Sequence, residues 1–318
     1  MNWTDYELLD SGGFEKLERF GPYIIARPEP QAIWNKSLPE KEWQARADAY
    51  FHVPKKTETK KTDTRDTKYT RDTKYTKSEE RGEWVLNPQK PQMPPQWYIH
   101  YQSGELKIRL RLGLTSFKHL GVFPEQAENW DFIYQQVRKM SSPPSSPSPP
   151  PLCRVLNLFA YTGGASLSAR SAGADVTHID SVKPVITWAR ENMEASGLDG
   201  IRWIVDDALK FARREVKRGN TYNGIILDPP SYGRGPEGEK WVLEENINEL
   251  LTYCGQLLER ENRFIVLNLY SMGLSATLAR TAVRQLTGTY KEEQFGELFF
   301  TDSFDKSLPL GVFYRGGI

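Results

Sequence analysis

From residue 152 onward, short apolar runs alternate with amphipathic segments, and this alternation constrains the fold more than any other feature of the chain. The amphipathic segments carry helix signals, such as Pro184 in a first turn and Gly197 after a last turn. The predicted strands are RVLNLFA, ADVTHID, IRWIVDDA, NGIILD and RFIVLNLY, and the predicted helices are GGASLSARSA, KPVITWARENMEASG and residues 208–218, 244–259 and 275–286. This order predicts an α/β fold with a doubly wound, mostly parallel sheet. EEQFGELFFTD and LPLGVFYRGG predict a closing antiparallel pair.

The first 118 residues have a different pattern, which is typical of a small β-rich unit. YELLDSGGFEKLERFGPYIIARPEPQAIW predicts short strands around a Gly-Gly turn, and WYIHYQSGELKIRLRLGL predicts a hairpin that turns at Ser103-Gly104. EQAENWDFIYQQVRKM is typical of an amphipathic helix. We therefore predict a β-rich N-terminal unit over residues 1–54 and 81–118, followed by a domain over residues 119–318.

Two low-complexity segments interrupt this plan. Residues 55–80 contain RDTKYT twice in tandem and lack aliphatic side chains, so we expect a disordered basic insertion. A basic tail that contacts phosphates is the alternative. Residues 141–151, SSPPSSPSPPP, predict a Ser/Pro-rich spacer inside the second domain.

Composition excludes several classes of protein. A net charge of +1 excludes a polycation, so any nucleic-acid binding must come from local patches. The two cysteines form no C-x-x-C pattern, which excludes a disulfide framework and a zinc site, and we expect no metal. The first ten residues lack the pattern of a signal peptide, and no apolar run approaches the ~20 residues of a membrane helix. We expect a soluble, cytoplasmic protein without a membrane partner.

Polar or glycine residues come directly after each predicted strand of the second domain, at the sheet edge where such folds bind ligands. A glycine turn lets a ligand approach the backbone, although it can also be an ordinary tight turn. A carboxylate after the second strand can accept hydrogen bonds from both hydroxyls of a ribose, and one after the third strand can accept from an adenine amino group. The glycine turn YTGGAS lacks the G-x-G-x-x-G spacing of nicotinamide enzymes. In chain order the residues are Gly163 and Gly164, Asp180, Asp206 or Asp207, and Asp228-Pro229-Pro230.

With this set in place, residues 119–318 resemble the class I S-adenosylmethionine-dependent methyltransferases, whose sheet is Rossmann-like. VLNLFAYTGGASLSA, VDDALKF and LDPPSY are similar to the family that methylates large-subunit ribosomal RNA on cytosine carbon 5, with relatives acting on guanine nitrogen 7. GVFPEQAENW is similar to a Gly-x-Phe-x-Asp-Gln-Arg element of that family, but Glu125-Gln126-Ala127 replaces Asp-Gln-Arg. The cofactor residues implied by the resemblance are Phe159, Ala160, Tyr161, Thr162, Gly163, Gly164, Asp180, Ser181, Asp206, Asp207, Ala208 and Asp228.

The residues after the fourth and fifth strands decide which atom accepts the methyl group. Methylation at cytosine carbon 5 needs a cysteine thiolate, and FIVLNLYSMGL has no cysteine. Enzymes that methylate an exocyclic amine have an aromatic directly after Asp/Asn-Pro-Pro, whereas Tyr232 comes one place later and could instead be a loop aromatic that covers the sheet edge. A ring nitrogen already has a lone pair and needs only alignment with the methyl group. The predicted catalytic residues are Asp228, Pro229, Tyr232 and Asn268, and the predicted substrate-binding residues are Phe123, Gln126, Tyr232 and Tyr270.

The sequence therefore predicts an S-adenosylmethionine-dependent methyltransferase that acts on a ring or amine nitrogen of a ribosomal RNA base. Atypical methylation at cytosine carbon 5 and a non-catalytic RNA-binding protein that keeps the cofactor site are the alternatives. RNA as the partner rests on the resemblance and on basic and aromatic residues of the N-terminal unit, which could equally form the solvated face of an ordinary hairpin. Those residues are Trp97, Tyr98, Arg109, Arg111, Lys118 and His119. The oligomeric state stays open.

Overall fold

The computed structural model describes residues 3–53, 81–141, 152–270 and 273–318. The predicted insertion at 55–80 and nearly all of the predicted spacer at 141–151 lie outside these ranges. The strands are β1 (Tyr6–Gly12), β2 (Glu15–Phe20), β3 (Tyr23–Pro28), β4 (Ala49–His52), β5 (Glu83–Leu86), β6 (Gln96–Ser103), β7 (Leu106–Gly113), β8 (Arg154–Leu158), β9 (Asp175–Asp180), β10 (Ile201–Val205), β11 (Gly224–Leu227), β12 (Tyr232–Arg234), β13 (Lys240–Val242), β14 (Phe264–Leu269), β15 (Glu292–Thr301) and β16 (Ser307–Gly317). The helices are α1 (Glu40–Arg46), α2 (Ala127–Ser141), α3 (Gly164–Ser171), α4 (Lys183–Ala195), α5 (Ala208–Arg218), α6 (Leu243–Leu257) and α7 (Ala276–Thr287), and a 3-10 turn spans Pro124–Gln126.

The predicted doubly wound sheet is confirmed. Within the described ranges it has seven strands in the order β10-β9-β8-β11-β14-β16-β15. The first five strands are parallel, and β16 pairs antiparallel with both β14 and β15. Every residue of β11 and β14 is buried, as expected for central strands covered by helices on both faces. The carboxyl ends of the parallel strands therefore meet at one edge.

Helix boundaries agree with the local signals in the sequence. The side chain of Asp207 accepts the backbone N–H of Lys210 at the start of α5, and Gly219 ends that helix in a left-handed conformation. Ser275 caps α7 in the same way as Asp207 caps α5. These caps satisfy backbone groups that a helix end leaves unpaired.

The N-terminal residues form a five-stranded sheet, β1-β2-β3-β4-β5, and a separate hairpin of β6 and β7. The hairpin loop is Gly104-Glu105, one residue later than predicted, because Ser103 still pairs with Leu106. One hydrophobic cluster is continuous through this sheet, the hairpin, α2 and the seven-stranded sheet. It includes Phe20, Ile25, Trp97, Leu110, Trp130, Val155, Val176 and Phe264. The N-terminal sheet and the hairpin thus share their core with the C-terminal sheet.

A buried carboxylate joins the two ends of the chain. Asp10 of β1 is fully buried and accepts hydrogen bonds from the backbone of Ser37 and Leu38 and from the Trp43 indole. Lys306, in the turn between β15 and β16, donates to Asp10 Oδ1 at 2.7 Å. Burial would raise the pKa of Asp10, but these donors outweigh burial and hold it below its ordinary value. Asp10 is therefore ionised at neutral pH and needs the Lys306 charge.

The substitution Lys306→Met should lower the free energy of unfolding by roughly 3 kcal/mol at pH 7, since it leaves a buried charge without its partner. Because the pKa of Asp10 is lowered by folding, its stabilising contribution is present at neutral pH and is lost as the pH falls through the native pKa. The difference between variant and parent should therefore shrink in acid. Urea unfolding across pH measures it, with the exposed Lys291→Met as control; equal losses in the two variants would contradict the prediction.

Candidate functional site

A cleft opens at the carboxyl ends of β8, β11 and β14. It holds about 540 Å³ of space free of protein atoms, a volume that includes space open to solvent. Ten of the predicted site residues line it: Phe123, Gln126, Phe159, Ala160, Tyr161, Thr162, Gly163, Gly164, Asp228 and Asn268. The 3-10 turn before α2 therefore lies at the same cleft as the ends of β8, β11 and β14.

The loop after β8 has an unusual backbone. Phe159 (φ 57°) and Tyr161 (φ 50°) are left-handed, a conformation that costs energy in bulky residues and is concentrated at functional sites. Hydrogen bonds hold this backbone from outside the loop: Tyr161 N–H donates to Asp180 at 2.9 Å, and Asn192 donates to the carbonyl of Thr162 at 2.9 Å. The loop is therefore fixed before any ligand binds.

Glycine is required at the two loop positions for different reasons. Gly163 has φ +95°, which strongly favours glycine. A Cβ on Gly164 would lie 2.5 Å from the ring of Trp130, so internal packing alone requires glycine there. The glycine at position 164 is therefore explained by packing inside the protein, without a ligand.

Asp180 ends β9 with a carboxylate that is preorganised by the backbone. Its Oδ2 accepts the N–H of Tyr161 and its Oδ1 accepts the N–H of Val182, both at 2.9 Å. Burial raises the pKa of Asp180, and these backbone donors oppose the rise. Each carboxylate oxygen has a second lone pair, so the pair of oxygens can accept two further hydroxyl donors. This donor set fits a ribose diol.

Asp180 and the remaining predicted cofactor residues lie at the same sheet edge but do not line the cleft. Asp206 pairs with Arg214, and Asp207 uses one oxygen to cap α5. Ser181 comes directly after Asp180, and Ala208 is buried in the first turn of α5. Asp207 therefore has a structural role as well as its predicted ligand role.

Asp228 comes directly after β11 and faces Asn268 of β14. Asn268 Nδ2 donates to Asp228 Oδ1 at 3.0 Å. Burial raises the pKa of Asp228 to about 7, the hydrogen bond from Asn268 opposes this rise, and the charge of Glu125 adds to it. Asn268 is 1% exposed, and its Oδ1 is buried with no hydrogen-bond partner. An orphaned acceptor of this kind needs a ligand or a water molecule.

The residues after Asp228 leave the cleft. The Pro230 carbonyl accepts the Trp241 indole N–H at 2.7 Å, and the Trp241 ring packs on Phe159. Pro229 is buried beside Asp228. Tyr232 begins the short β12–β13 hairpin, is 40% exposed and does not line the cleft. The prolines thus carry the chain from the sheet edge into a surface hairpin.

A chain of hydrogen bonds reaches the cleft from β16. Arg315 donates to Asn129, Asn129 donates to Gln126, and Gln126 donates to the hydroxyl of Tyr270, each at 2.6 Å. A guanidinium cannot accept, so Arg315 fixes the orientation of both amides and thereby directs the Gln126 N–H at the Tyr270 hydroxyl. Phe123 packs between Tyr161 and Tyr270, with ring centroids 5.3 and 5.5 Å away.

Glu125 is the main site residue that sequence reasoning missed. It is buried in the 3-10 turn, where burial raises its pKa to about 7 while Lys16 and Arg27 oppose the rise. The sequence offered one signal, namely an acidic residue at the Asp position of the resembling family's element. Asn129 and Arg315 carried no local signal, because they meet only in the tertiary structure.

Neither cysteine belongs to the cleft. Cys153 precedes β8 at the opposite edge of the sheet, and Cys254 lies inside α6. Both are buried, and burial raises the pKa of each thiol to about 12. In the described part of the chain, no group of three or more His, Cys, Asp or Glu side chains is arranged to hold a metal ion. The same ranges contain no helix that is long and apolar enough to cross a membrane.

The basic and aromatic residues of the N-terminal unit divide between core and surface. Trp97 is buried and His119 is half-buried, and desolvation together with the charges of Arg27 and Lys118 lowers the pKa of His119. Arg109 stacks over the exposed ring of Tyr98 at 4.3 Å on the outer face of the hairpin.

Comparisons with known proteins show what this chain is similar to. The sequence model of the family described as "Conserved hypothetical protein 95" matches residues 150–295. A crystal structure of the SAM-dependent methyltransferase from Agrobacterium tumefaciens is similar to the whole chain, with 34% identity, a TM-score of 0.79, and coverage of 98% of this chain and 90% of that one.

Two curated relatives are similar over half of the chain. Ribosomal RNA large subunit methyltransferase I of Photobacterium profundum is 39% identical over 183 residues, which is 51% of this chain and 42% of that protein. Ribosomal RNA large subunit methyltransferase K/L of Shewanella frigidimarina is 30% identical over 168 residues, which is 52% of this chain and 22% of that protein. The chain thus spans less than half the length of either relative.

The Asp228 carboxyl should titrate with a midpoint near pH 7, about three units above an ordinary aspartate, because desolvation and the charge of Glu125 both raise its pKa. Carbon-13 NMR of aspartate-labelled protein measures this midpoint, and the resonance is assigned as the one lost in Asp228→Asn. A midpoint near pH 4 would contradict the described burial.

Proposed function

This chain belongs to the class I S-adenosylmethionine-dependent methyltransferases, and on that premise we propose that it transfers a methyl group from S-adenosylmethionine to a ring or amine nitrogen of a ribosomal RNA base. The observation that carries the proposal is the meeting of the strained loop after β8, the Asp180 carboxylate and the Asp228–Asn268 pair along one sheet edge.

S-adenosylmethionine is the cofactor, and it supplies a methyl group carried on a sulfonium sulfur. In this proposal Asp180 accepts the two ribose hydroxyls, and the backbone of residues 159–164 holds the end of the cofactor that lies in the cleft. Asp207, with Ser181, Asp206 and Ala208 beside it, receives the adenine at the neighbouring strand ends. The carboxylate of Asp228 lies near the sulfonium and favours its positive charge.

The acceptor base enters next to Asp228 and Asn268. Phe123 and Tyr270 offer aromatic faces on which a planar base can stack, and Gln126 holds Tyr270 in place. A nitrogen acceptor needs no covalent step, which agrees with a cleft whose neighbourhood contains neither cysteine.

RNA as the substrate is supported by the names of the relatives that match half of the chain. It is also supported by the Arg109–Tyr98 stack, a type of surface that single-stranded RNA uses. In this proposal the N-terminal sheet and hairpin, residues 1–54 and 81–118, guide RNA toward the domain at 119–318. The protein acts in the cytoplasm.

The substitution Asp180→Ala should weaken S-adenosylmethionine binding by about 10- to 100-fold, as expected for losing hydrogen bonds to a charged group. The fold should persist, because Asp180 accepts only loop N–H groups. Isothermal titration calorimetry measures the affinity. Asp175→Ala, at the exposed start of the same strand, is the matched control and should bind as the parent does. Equal affinity in all three proteins would contradict the ribose assignment.

Methyl transfer is tested with S-adenosylmethionine labelled in the methyl group and unmodified large-subunit ribosomal RNA made by transcription. Label should enter the RNA with the parent protein, and Asp228→Asn should reduce the rate at least about 100-fold while still binding the cofactor. Cofactor binding without any label in RNA would contradict the proposal and favour a non-catalytic RNA-binding protein.

A further inference from the structure

Two kinds of nitrogen acceptor differ in the hydrogen bonds that they bring to the site. Guanine nitrogen 7 and its neighbour oxygen 6 are both acceptors, whereas an exocyclic amino group carries two N–H donors. A site must offer the complementary groups, because a buried polar group without a partner is costly. The polar atoms beside the reaction centre therefore discriminate between the two classes.

The groups at Asp228 are acceptors. When Asp228 is ionised it can only accept, so Asn268 must present its Nδ2 to it, as observed at 3.0 Å. That orientation leaves Asn268 Oδ1, which is an acceptor, buried and without a partner. A guanine edge would bring lone pairs toward this carboxylate and this carbonyl oxygen, and an amino group would bring two donors.

The neighbouring side chains are already engaged. Tyr270 accepts from Gln126, and the amide orientation of Gln126 is fixed through Asn129 by Arg315. These side chains are therefore held in their orientations and cannot rotate to place hydrogen-bond donors beside Asp228.

We propose that the methyl acceptor is an exocyclic amino group of a nucleobase, which donates one N–H to the Asp228 carboxylate and the other to Asn268 Oδ1. The inference rests on the proposed function and narrows its substrate to bases with an amino group. Hydrogen bonds to these two acceptors draw electron density toward the amine nitrogen and hold its lone pair out of the plane of the base. Asn268 is in this way a substrate-binding residue.

The transfer step balances with groups of this site. The nitrogen lone pair forms the new N–C bond, and the bond from the methyl carbon to sulfur breaks with its electrons staying on sulfur, which becomes neutral. The nitrogen is then cationic, and its N–H proton passes to the Asp228 carboxylate. The products are a methylated amine, a thioether and a protonated Asp228, which returns its proton to solvent.

Charged and titratable groups near the cleft bear on the Asp228 carboxyl. The titratable groups that bear on Asp228 are Glu125 and Tyr270, and Lys16, Arg27 and Glu18 bear in turn on Glu125. The negative charge of Glu125 raises the pKa of Asp228, which makes Asp228 a stronger base near neutral pH. Activity should rise with pH as Asp228 ionises and then level off.

The deciding experiment identifies the product nucleoside. RNA methylated with the parent protein, from the transcribed large-subunit RNA, is digested to nucleosides and analysed by mass spectrometry against standards. N6-methyladenosine, N2-methylguanosine or N4-methylcytidine is the expected result. 7-Methylguanosine or 5-methylcytidine would overturn the amine assignment while leaving methyl transfer to RNA intact. Absence of label in RNA would overturn both proposals together.

A second experiment tests the site itself. Glu125→Gln removes a like charge without changing shape, so the acid limb of the pH–rate profile should move down by a few tenths of a unit to about one unit. The Asp228 carbon-13 titration should move in the same direction, which is a readout independent of turnover. Glu297→Gln changes the same charge at an exposed position of β15 and should leave both midpoints unchanged. Unmoved midpoints in Glu125→Gln, with the fold intact by circular dichroism, would refute its action on Asp228.

Discussion

The cleft depends on four neighbouring parallel strands, β9, β8, β11 and β14, that end at the same edge of one sheet. Parallel strands point the same way, so residues that are far apart in sequence, such as Asp180, Asp228 and Asn268, come together at their carboxyl ends. The apolar cores of the strands secure this edge by burial between helices. The loops and polar side chains of the site are attached to the ends of this rigid sheet.

Arg315 shows how a donor-only group can organise a site from a distance. Its guanidinium lies on the antiparallel strand β16, yet it sets the direction of hydrogen bonds through Asn129 and Gln126 to Tyr270. Neutral amides alone could adopt either orientation, so the buried cation selects one orientation for the Asn129 and Gln126 side chains. The closing antiparallel pair therefore contributes to the chemistry as well as to the sheet.

The N-terminal sheet contributes electrostatics to the same cleft. Glu18 is buried between Arg27 and Lys16, and Arg27 also donates to the Lys118 carbonyl at 3.1 Å, next to the segment that leads to Phe123. These cations oppose the rise in the pKa of Glu125, while Glu125 raises that of Asp228. The charges of the N-terminal sheet thus bear on the pKa of Glu125.

The sequence by itself determined the order of strands and helices in the seven-stranded sheet and the identity of the polar residues after its strands, because periodicity is a local property. It could not determine that the charge of Glu125 raises the pKa of Asp228, that Arg315 orients Gln126, or that Asn268 Oδ1 has no partner. Each of these facts depends on a long-range contact between segments up to 186 residues apart. Tertiary packing alone decides them, because burial removes the water that would otherwise screen charges and satisfy orphaned polar atoms.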